Sequence, residues 1–402
     1  MKRKVWLVSI MLIVVVMMMA GCAPKTVEGP VTLTVWHDKE QPVIDVLVEA
    51  LKKLEPDIIV QFEKKNGLTE ALKLVGNNQG AAPDMYFFAH DKIGVYAEMG
   101  ILAEITDFLD ESELDSLVPI TVESVTYKDS VYQLPLYFET LLFMYNKEWV
   151  SEAEVPRDTD ALLAHMAQAK RIGRFGFVEQ HSNAYYAAGW IHGFNATILD
   201  ASGEPKLGSD EMKAAMAYHK QFVSFMPGES EYATVNTLFR EGKADMTIGG
   251  PWMVPTLRAA GIDLGLSPMP IIPATGKPLA PYTGVQGIHV LKVSADSKSD
   301  AIKSVLAELI APEVGRAIAL ASGSAPANEK AYEAEDIRND DMVMMMRATA
   351  ENSVPMPNVP EMDVMWTVTT NMLVEINMSG KAIDETVEAA QKKALELIRN
   401  MK

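Results

Sequence analysis

Seven histidines, at positions 37, 90, 165, 181, 192, 219 and 289, and 54 acidic residues are the side chains here best suited to moving protons. Their spacing assembles no catalytic pattern. No two histidines have the HExxH spacing that places a pair of zinc ligands on one helix face. The GxSxG elbow, the phosphate-cradling GxxxxGK[ST], paired CxxC motifs and the glycine-rich dinucleotide turn are also missing. Gly276-Lys277 has no upstream glycine and runs into Pro278, so it reads as a turn. His90 beside Asp91 has the form of an acid/base pair, but a hydrogen-bonded histidine at a strand end is the simpler reading. A glycosidase needs two carboxylates flanking a sugar bond, and no spacing singles out such a pair. Cys22, the one cysteine, can neither pair within the chain nor join a metal cluster. The expectation is a protein without catalysis, cofactor or metal.

Recognition needs polar groups held in place, and the pattern supplies a scaffold for them. Residues 31–36 alternate and are β-rich, as a strand requires. Pro42 opens a helix whose apolar positions Val43, Val46, Leu47, Ala50, Leu51 and Leu54 recur at helical spacing. A strand at 58–62, a helix at 68–76 and a strand at 84–88 follow, and this order means a parallel sheet with crossover helices. Ligands of such sheets sit outside the carboxyl ends of the strands. His37-Asp38-Lys39 and Ala89-His90-Asp91-Lys92 stand at those ends. Two strand-like runs come next, 132–137 and 141–145, with Glu139 between them.

The pattern then restarts, with helices at 159–171, near 184–192, at 209–226 and at 233–241, and strands at 174–178 and 245–248. A helix over 251–260 carries Pro251 in its first turn. The restart predicts a second α/β domain, and a chain of 402 residues exceeds what one core usually holds. The stretch 285–290 and helices at 297–309 and 312–320 are less sharply patterned, and two long helices, 361–378 and 382–400, close the chain. Four of the 25 methionines fall between positions 342 and 346, where adaptable core filling is the simplest role.

At the start, Lys2, Arg3 and Lys4 precede an apolar run from Val5 to Met19 that only Ser9 interrupts, and Ala20-Gly21 leads to Cys22. A basic start, a short apolar core and small residues at a cleavage site define a secretory signal peptide over 1–21. A core this short is not an ordinary spanning helix, which needs ~20 apolar residues. The small-small-Cys ending resembles the bacterial lipobox, in which the cysteine is lipidated and becomes the first mature residue. Two or more acyl chains hold stably to a membrane where one does not. Residues 22–30 then read as lipidated Cys22 and a tether, in an exported protein anchored outside the cytoplasmic membrane or in the periplasm. A net charge of −18 argues against nucleic acid and against a basic membrane-binding face.

Several runs resemble the maltose/maltodextrin-binding proteins, the solute-binding components of carbohydrate ABC importers (extracellular solute-binding family 1). They are LTVW at 33–36, PDMYFFAHDK at 83–92, GILAEIT at 100–106, LFMYNK at 142–147, FREGKADMTIGGPW at 239–252 and MPNVPEM at 356–362. The resemblance implies an α/β, two-lobed, periplasmic-binding-protein-like clamp, each lobe a mixed sheet flanked by helices. It implies an N-lobe of 31–138 plus 286–325, a C-lobe of 139–285 plus 326–402, and crossings near 138–140, 284–287 and 323–327. It further implies a monomer that takes a malto-oligosaccharide in the cleft and hands it to a membrane ABC permease.

The resemblance also implies site residues. Asp38, Lys39 and Asp91 match first-lobe groups that hydrogen-bond sugar hydroxyls, and Glu139 a carboxylate near the hinge. Trp252 and Trp366 match aromatics that lie against sugar rings, and Met356 lines the same region. Phe88 and Lys92 stand where well-known members carry Trp and Arg, and Thr367 and Thr370 where they carry Tyr and Arg. The segment His181-Ser182-Asn183 replaces a Glu-Pro-Tyr-like one, with Tyr185 and Tyr186 as replacement stackers. These departures point to a different chain length or α-glucoside; a cyclic or β-linked glucan, or a secreted carbohydrate-active enzyme using Asp91 and Glu139, are the alternatives. Asp38 and Asp91 have a duller reading as helix N-caps, and the tryptophans as core.

Overall fold

Alternation in the first run becomes strand β1 (Val31–His37), in which Leu33, Val35 and His37 are buried. The computed structural model describes residues 29–200 and 202–401, so the leader and Cys22 lie outside the described residues. Strands β2 (Ile58–Lys64) and β3 (Met85–Ala89) flank β1, both parallel to it. The helices Gln41–Leu51 and Leu68–Val75 make the crossovers. Strand β4 (Leu134–Thr140) contains Glu139, which therefore lies within a strand and not between two. One residue, Leu141, separates it from β5 (Leu142–Asn146). Strands β6 (Met246–Gly249), β7 (Leu264–Ser267), β8 (Tyr282–Val290), β9 (Ala325–Pro326) and β10 (Val354–Pro355) complete two sheets.

The larger sheet runs β9-β4-β8-β3-β1-β2, with β10 beside the start of β8. The smaller sheet, β6-β5-β7, is antiparallel. Every residue of β8 is buried, as a strand covered on both faces must be; this explains why 285–290 showed no clean alternation. It runs antiparallel to both β3 and β4. A bulge at Leu136 of β4, opposite the Gln286–Gly287 step of β8, shifts the register between the two strands. Gly287 has no substitute there, because a Cβ would fall 2.0 Å from the Leu134 carbonyl oxygen.

The expected strand at 174–178 is reduced to two isolated parallel bridges, Phe175 to Ala244 and Val178 to Thr247. Between them Gly176 dips onto the helix Thr159–Arg171, so close that a Cβ would sit 2.7 Å from the Met166 Cα. That dip breaks the ladder. The helix expected near 184–192 begins only at Ala188 and ends at Gly193.

Leu33, Val35, Phe87 and Ile288 fill one core under the larger sheet, and Phe143, Phe177, Trp190 and Phe222 another beside the smaller one. Burying each such side chain contributes roughly 1.5–3 kcal/mol before entropy is counted. The closing helices Met362–Asn377 and Ile383–Met401 pack on Asp210–Val223, where Met212, Met216, Met362, Met365 and Met372 fill the gaps. Met342 and Met346 are also buried.

Candidate functional site

The sheet delivers its polar residues to one edge. Asp38 and Lys39 follow β1, Asp91 and Lys92 follow β3 in a short turn, Glu139 is the last residue but one of β4, and Gly284 and Gln286 lie on β8. Neither Asp38 nor Asp91 caps a helix: Glu40 precedes Gln41–Leu51 without a side-chain cap, and Lys92 likewise precedes Ile93–Glu98. A cavity of about 500 Å³ separates these groups from Asn183, Ala184, Tyr185, Trp252, Met356, Trp366 and Thr370. A second volume of about 240 Å³ continues from Asp38, Lys39, Glu139 and Trp252 towards Pro42, Pro255, Ser322 and Ser324. The shared residues make the two volumes one cleft between the lobes.

Lys39 is the hub of the polar wall. Its ammonium donates to Gln286 Oε1 at 2.7 Å and pairs with Asp38 at 2.7 Å. It also stands 5.2 Å from the centre of the Phe88 ring, within cation–π reach. Gln286 Nε2 in turn donates to Glu139 Oε1 at 2.8 Å. Burial pushes the Glu139 carboxyl above the usual range; the Lys39 ammonium and the Gln286 amide pull it back, and Asp38 adds to the rise. On the other side of the wall Trp366 Nε1 donates to Asp91 Oδ2 at 3.1 Å. Lys92 pairs with Asp363 at 2.8 Å and Lys73 with the same carboxylate at 2.7 Å. Burial raises the Asp363 carboxyl, and the two ammonium groups together hold it below its ordinary value.

His90 is a pin, not an acid/base group. Its Nε2 donates to the Met356 carbonyl at 2.8 Å and its Nδ1 accepts from the Val285 N–H at 3.0 Å, which fixes a neutral tautomer. Burial lowers its pKa in keeping with that. The same bond straps the segment around Met356 to the first lobe. Asn358 adds to the strap, donating to the Ser124 and Thr126 carbonyls at 2.9 and 2.8 Å.

Opposite stands an aromatic wall. Tyr185 has Tyr186 at 5.7 Å, Trp366 at 6.4 Å, and Trp252 and Tyr282 each at 6.5 Å between ring centres. Thr370 Oγ1 accepts from the Ala184 N–H at 3.2 Å and ties the Tyr185 turn to the helix Met362–Asn377. The Gly-Gly-Pro-Trp sequence has a steric reason. The Trp252 indole folds back over Gly250, where a Cβ would fall 2.2 Å from the ring. Gly250→Ala is therefore expected to displace the indole, changing the near-ultraviolet circular dichroism and costing about 1–3 kcal/mol as overpacking does. An unchanged spectrum would mean that the ring does not depend on that glycine.

Of the residues singled out in the sequence, the cleft brings together Asp38, Lys39, Phe88, Asp91, Lys92, Glu139, Tyr185, Trp252, Met356 and Trp366. Tyr186 is buried behind Tyr185 and does not line it. Gln286 and the tie made by Thr370 were not read from the sequence. Among the described residues no group of three or more His, Cys, Asp or Glu is arranged for a metal, and no helix is long and apolar enough to cross a membrane. Carboxylates and ammonium groups on one wall and flat rings on the other suit a polyhydroxyl ligand with an apolar face.

Comparison with known proteins agrees with this arrangement. A family model described as bacterial extracellular solute-binding protein matches residues 47–344. The maltotriose-binding protein of Pyrococcus abyssi is 30% identical over 383 residues, covering 93% of this chain and 83% of that one. The galactooligosaccharide-binding protein of Bacillus subtilis is 29% identical and covers 93% of each. Among solved structures, the maltose/maltodextrin-binding domain of Bdellovibrio bacteriovorus bound to maltotriose superposes with a TM-score of 0.81 at 25% identity, covering 92% of this chain and 100% of that one. With its family model spanning most of the sequence, its relatives matching almost end to end and its cleft lying between two α/β lobes, the chain belongs to the bacterial extracellular solute-binding proteins.

Proposed function

We propose that the protein captures a malto-oligosaccharide in the cleft and delivers it to a membrane ABC permease without making or breaking a bond. The observation that carries this is the pairing of a carboxylate–ammonium wall with the Tyr185–Trp252–Trp366 wall across one cavity. A pyranose ring lays its C–H face on indole and offers its hydroxyl edge to ionised acceptors, whose bonds are stronger than neutral ones. Asp38, Lys39, Asp91, Lys92 and Glu139 bind the hydroxyls; Phe88, Tyr185, Trp252, Met356 and Trp366 bury the ring faces. The names of the Pyrococcus relative and of the ligand in the Bdellovibrio structure support an α-linked glucose chain. The Bacillus relative makes a galacto-oligosaccharide the second reading.

In this reading the lobes are 31–138 with 286–325 and 139–285 with 326–402, β4, β8 and β9 cross from one to the other, and ligand favours the closed form by touching both. The protein acts as a monomer held at the membrane through lipid on Cys22, which the residues around that cysteine support.

The test is thermal unfolding of the protein lacking residues 1–22 with maltose, maltotriose, maltotetraose and galacto-oligosaccharides. A ligand at 100 times its dissociation constant adds about 2.7 kcal/mol. The expected result is a rise with maltotriose; a rise with galacto-oligosaccharides alone would replace the ligand, and smaller sugars released from maltotriose would overturn the binding-only role.

A further inference from the structure

We propose that Gln286 is the positioning residue of the cleft, holding Lys39 and Glu139 apart and aligned so that Glu139 meets the ligand as an ionised acceptor. This rests on the oligosaccharide reading given above.

The orientation of the amide is forced by its neighbours. Lys39 can only donate, so the oxygen of Gln286 must face it, at 2.7 Å; the amide nitrogen is left to donate to Glu139 Oε1, at 2.8 Å. One neutral side chain thus satisfies a cation and an anion that would otherwise close on one another. The Ser324 hydroxyl, itself buried, stands beside the same carboxylate and also favours its charged form.

The backbone is built for this placement. Directly beyond the Gln286–Tyr137 pair the partner strand β4 carries one extra residue, Leu136, and this bulge shifts the ladder that holds Gln286. Gly287 permits the close approach of β4 there, and Gly284 leaves room on the cleft side, where a Cβ would already meet the Met356 methyl at 3.0 Å. Gln286 is itself buried, on a strand held between β3 and β4. The groups facing Glu139 are Lys39 and Asp38 from the turn after β1, Gln286 from β8, Ser324 ahead of β9, Tyr137 from its own strand, and Tyr185 and Tyr186 from the second lobe. Only Lys39 is cationic among them. With burial opposing the charge, the Gln286 N–H joins the Lys39 ammonium, the larger of the two influences, in favouring the ionised carboxylate.

Maltotriose affinity measured by calorimetry from acid to neutral pH tests this in the wild type, Gln286→Leu, Gln286→Glu and Glu139→Gln. In the wild type, affinity falls on the acid side as Glu139 takes up a proton. Losing one charge-assisted bond is worth roughly a tenfold change in an equilibrium, so Gln286→Leu moves that fall upward by about one pH unit. Gln286→Glu, which keeps the shape and faces one carboxylate with another, moves it at least as far. Glu139→Gln removes the fall, and adding Gln286→Leu to it restores none. The same fall in Gln286→Leu and Gln286→Glu as in the wild type would overturn the proposal. If the wild type bound no oligosaccharide, the parent reading would fail alone. The Glu139 titration, followed in ligand-free protein by carbon-13 NMR of its carboxyl, would still decide the part of Gln286: an unmoved titration in both variants overturns it.

Discussion

Trp366→Ala is expected to weaken oligosaccharide binding by about thirtyfold or more, the loss of ~2 kcal/mol that a tryptophan in a desolvated contact typically carries. The ring makes two separate contributions. Its ring centre stands 6.4 Å from that of Tyr185 and 5.6 Å from that of Tyr282, steeply inclined to the latter, so it continues the aromatic wall. Its Nε1 donates to Asp91 Oδ2, which orients that carboxylate from a helix packed on Asp210–Val223. Alanine removes both and leaves Asp91 without that donor. Trp366→Phe keeps an aromatic face but loses the donor, and so belongs between the two. The side chain is half-buried within a helix that alanine favours, so folding survives. Calorimetry with maltotriose reads the effect. An affinity equal to the wild type in Trp366→Ala would remove this tryptophan from the site.

His219→Ala should lower stability by about 2–3 kcal/mol, since removing one partner of a buried hydrogen bond leaves the other without the donor that offset its desolvation. Glu179, His219 and Trp190 are all fully buried. The Glu179 carboxylate accepts from His219 Nε2 at 2.7 Å and from Trp190 Nε1 at 2.9 and 3.1 Å. Removing the imidazole leaves the indole as the carboxylate's remaining donor among the described residues. Adding Glu179→Gln should recover part of the loss, because the neutral amide is cheaper to bury and still accepts from Trp190. Denaturant unfolding checks both variants. Loss in His219→Ala with no recovery in the double variant would mean the imidazole acts by packing on Trp190, 5.0 Å away, and not by its bond to Glu179.

Much of this was legible from residue pattern. The first three strands and their helices follow from period alone, and because a parallel sheet directs ligands to its carboxyl ends, Asp38, Lys39, Asp91 and Lys92 could be placed at the cleft before any coordinates. The aromatic members needed the resemblance, since a tryptophan after Gly-Pro reads first as core. Other features were not readable because they depend on contacts far apart in the chain. Gln286 acquires its role only from the register of β8 against β4. The run at 174–178 fails as a strand because of Met166, on a neighbouring helix. Tyr185 and Tyr186 are identical neighbours in sequence, and only the turn that Asn183 makes, accepting from the Tyr185 N–H at 2.9 Å, decides which faces the cavity. Thr370 looked like a lost arginine; its hydroxyl instead holds that turn in place.

The central position of β8 also sets the order in which the molecule can form. Val285 and His90 are bonded partners 195 residues apart, and β8 separates β3 from β4 throughout the sheet. Until β8 arrives, β3 and β4 lack their common neighbour and the first lobe cannot close, although most of its strands have already been made. Pairings of such long range form slowly, because the loop entropy must be met before any contact rewards it. A ribosome therefore releases a long stretch of this chain while its first lobe is still open. For a protein of an extracellular family, that delay keeps the chain threadable while it crosses the membrane.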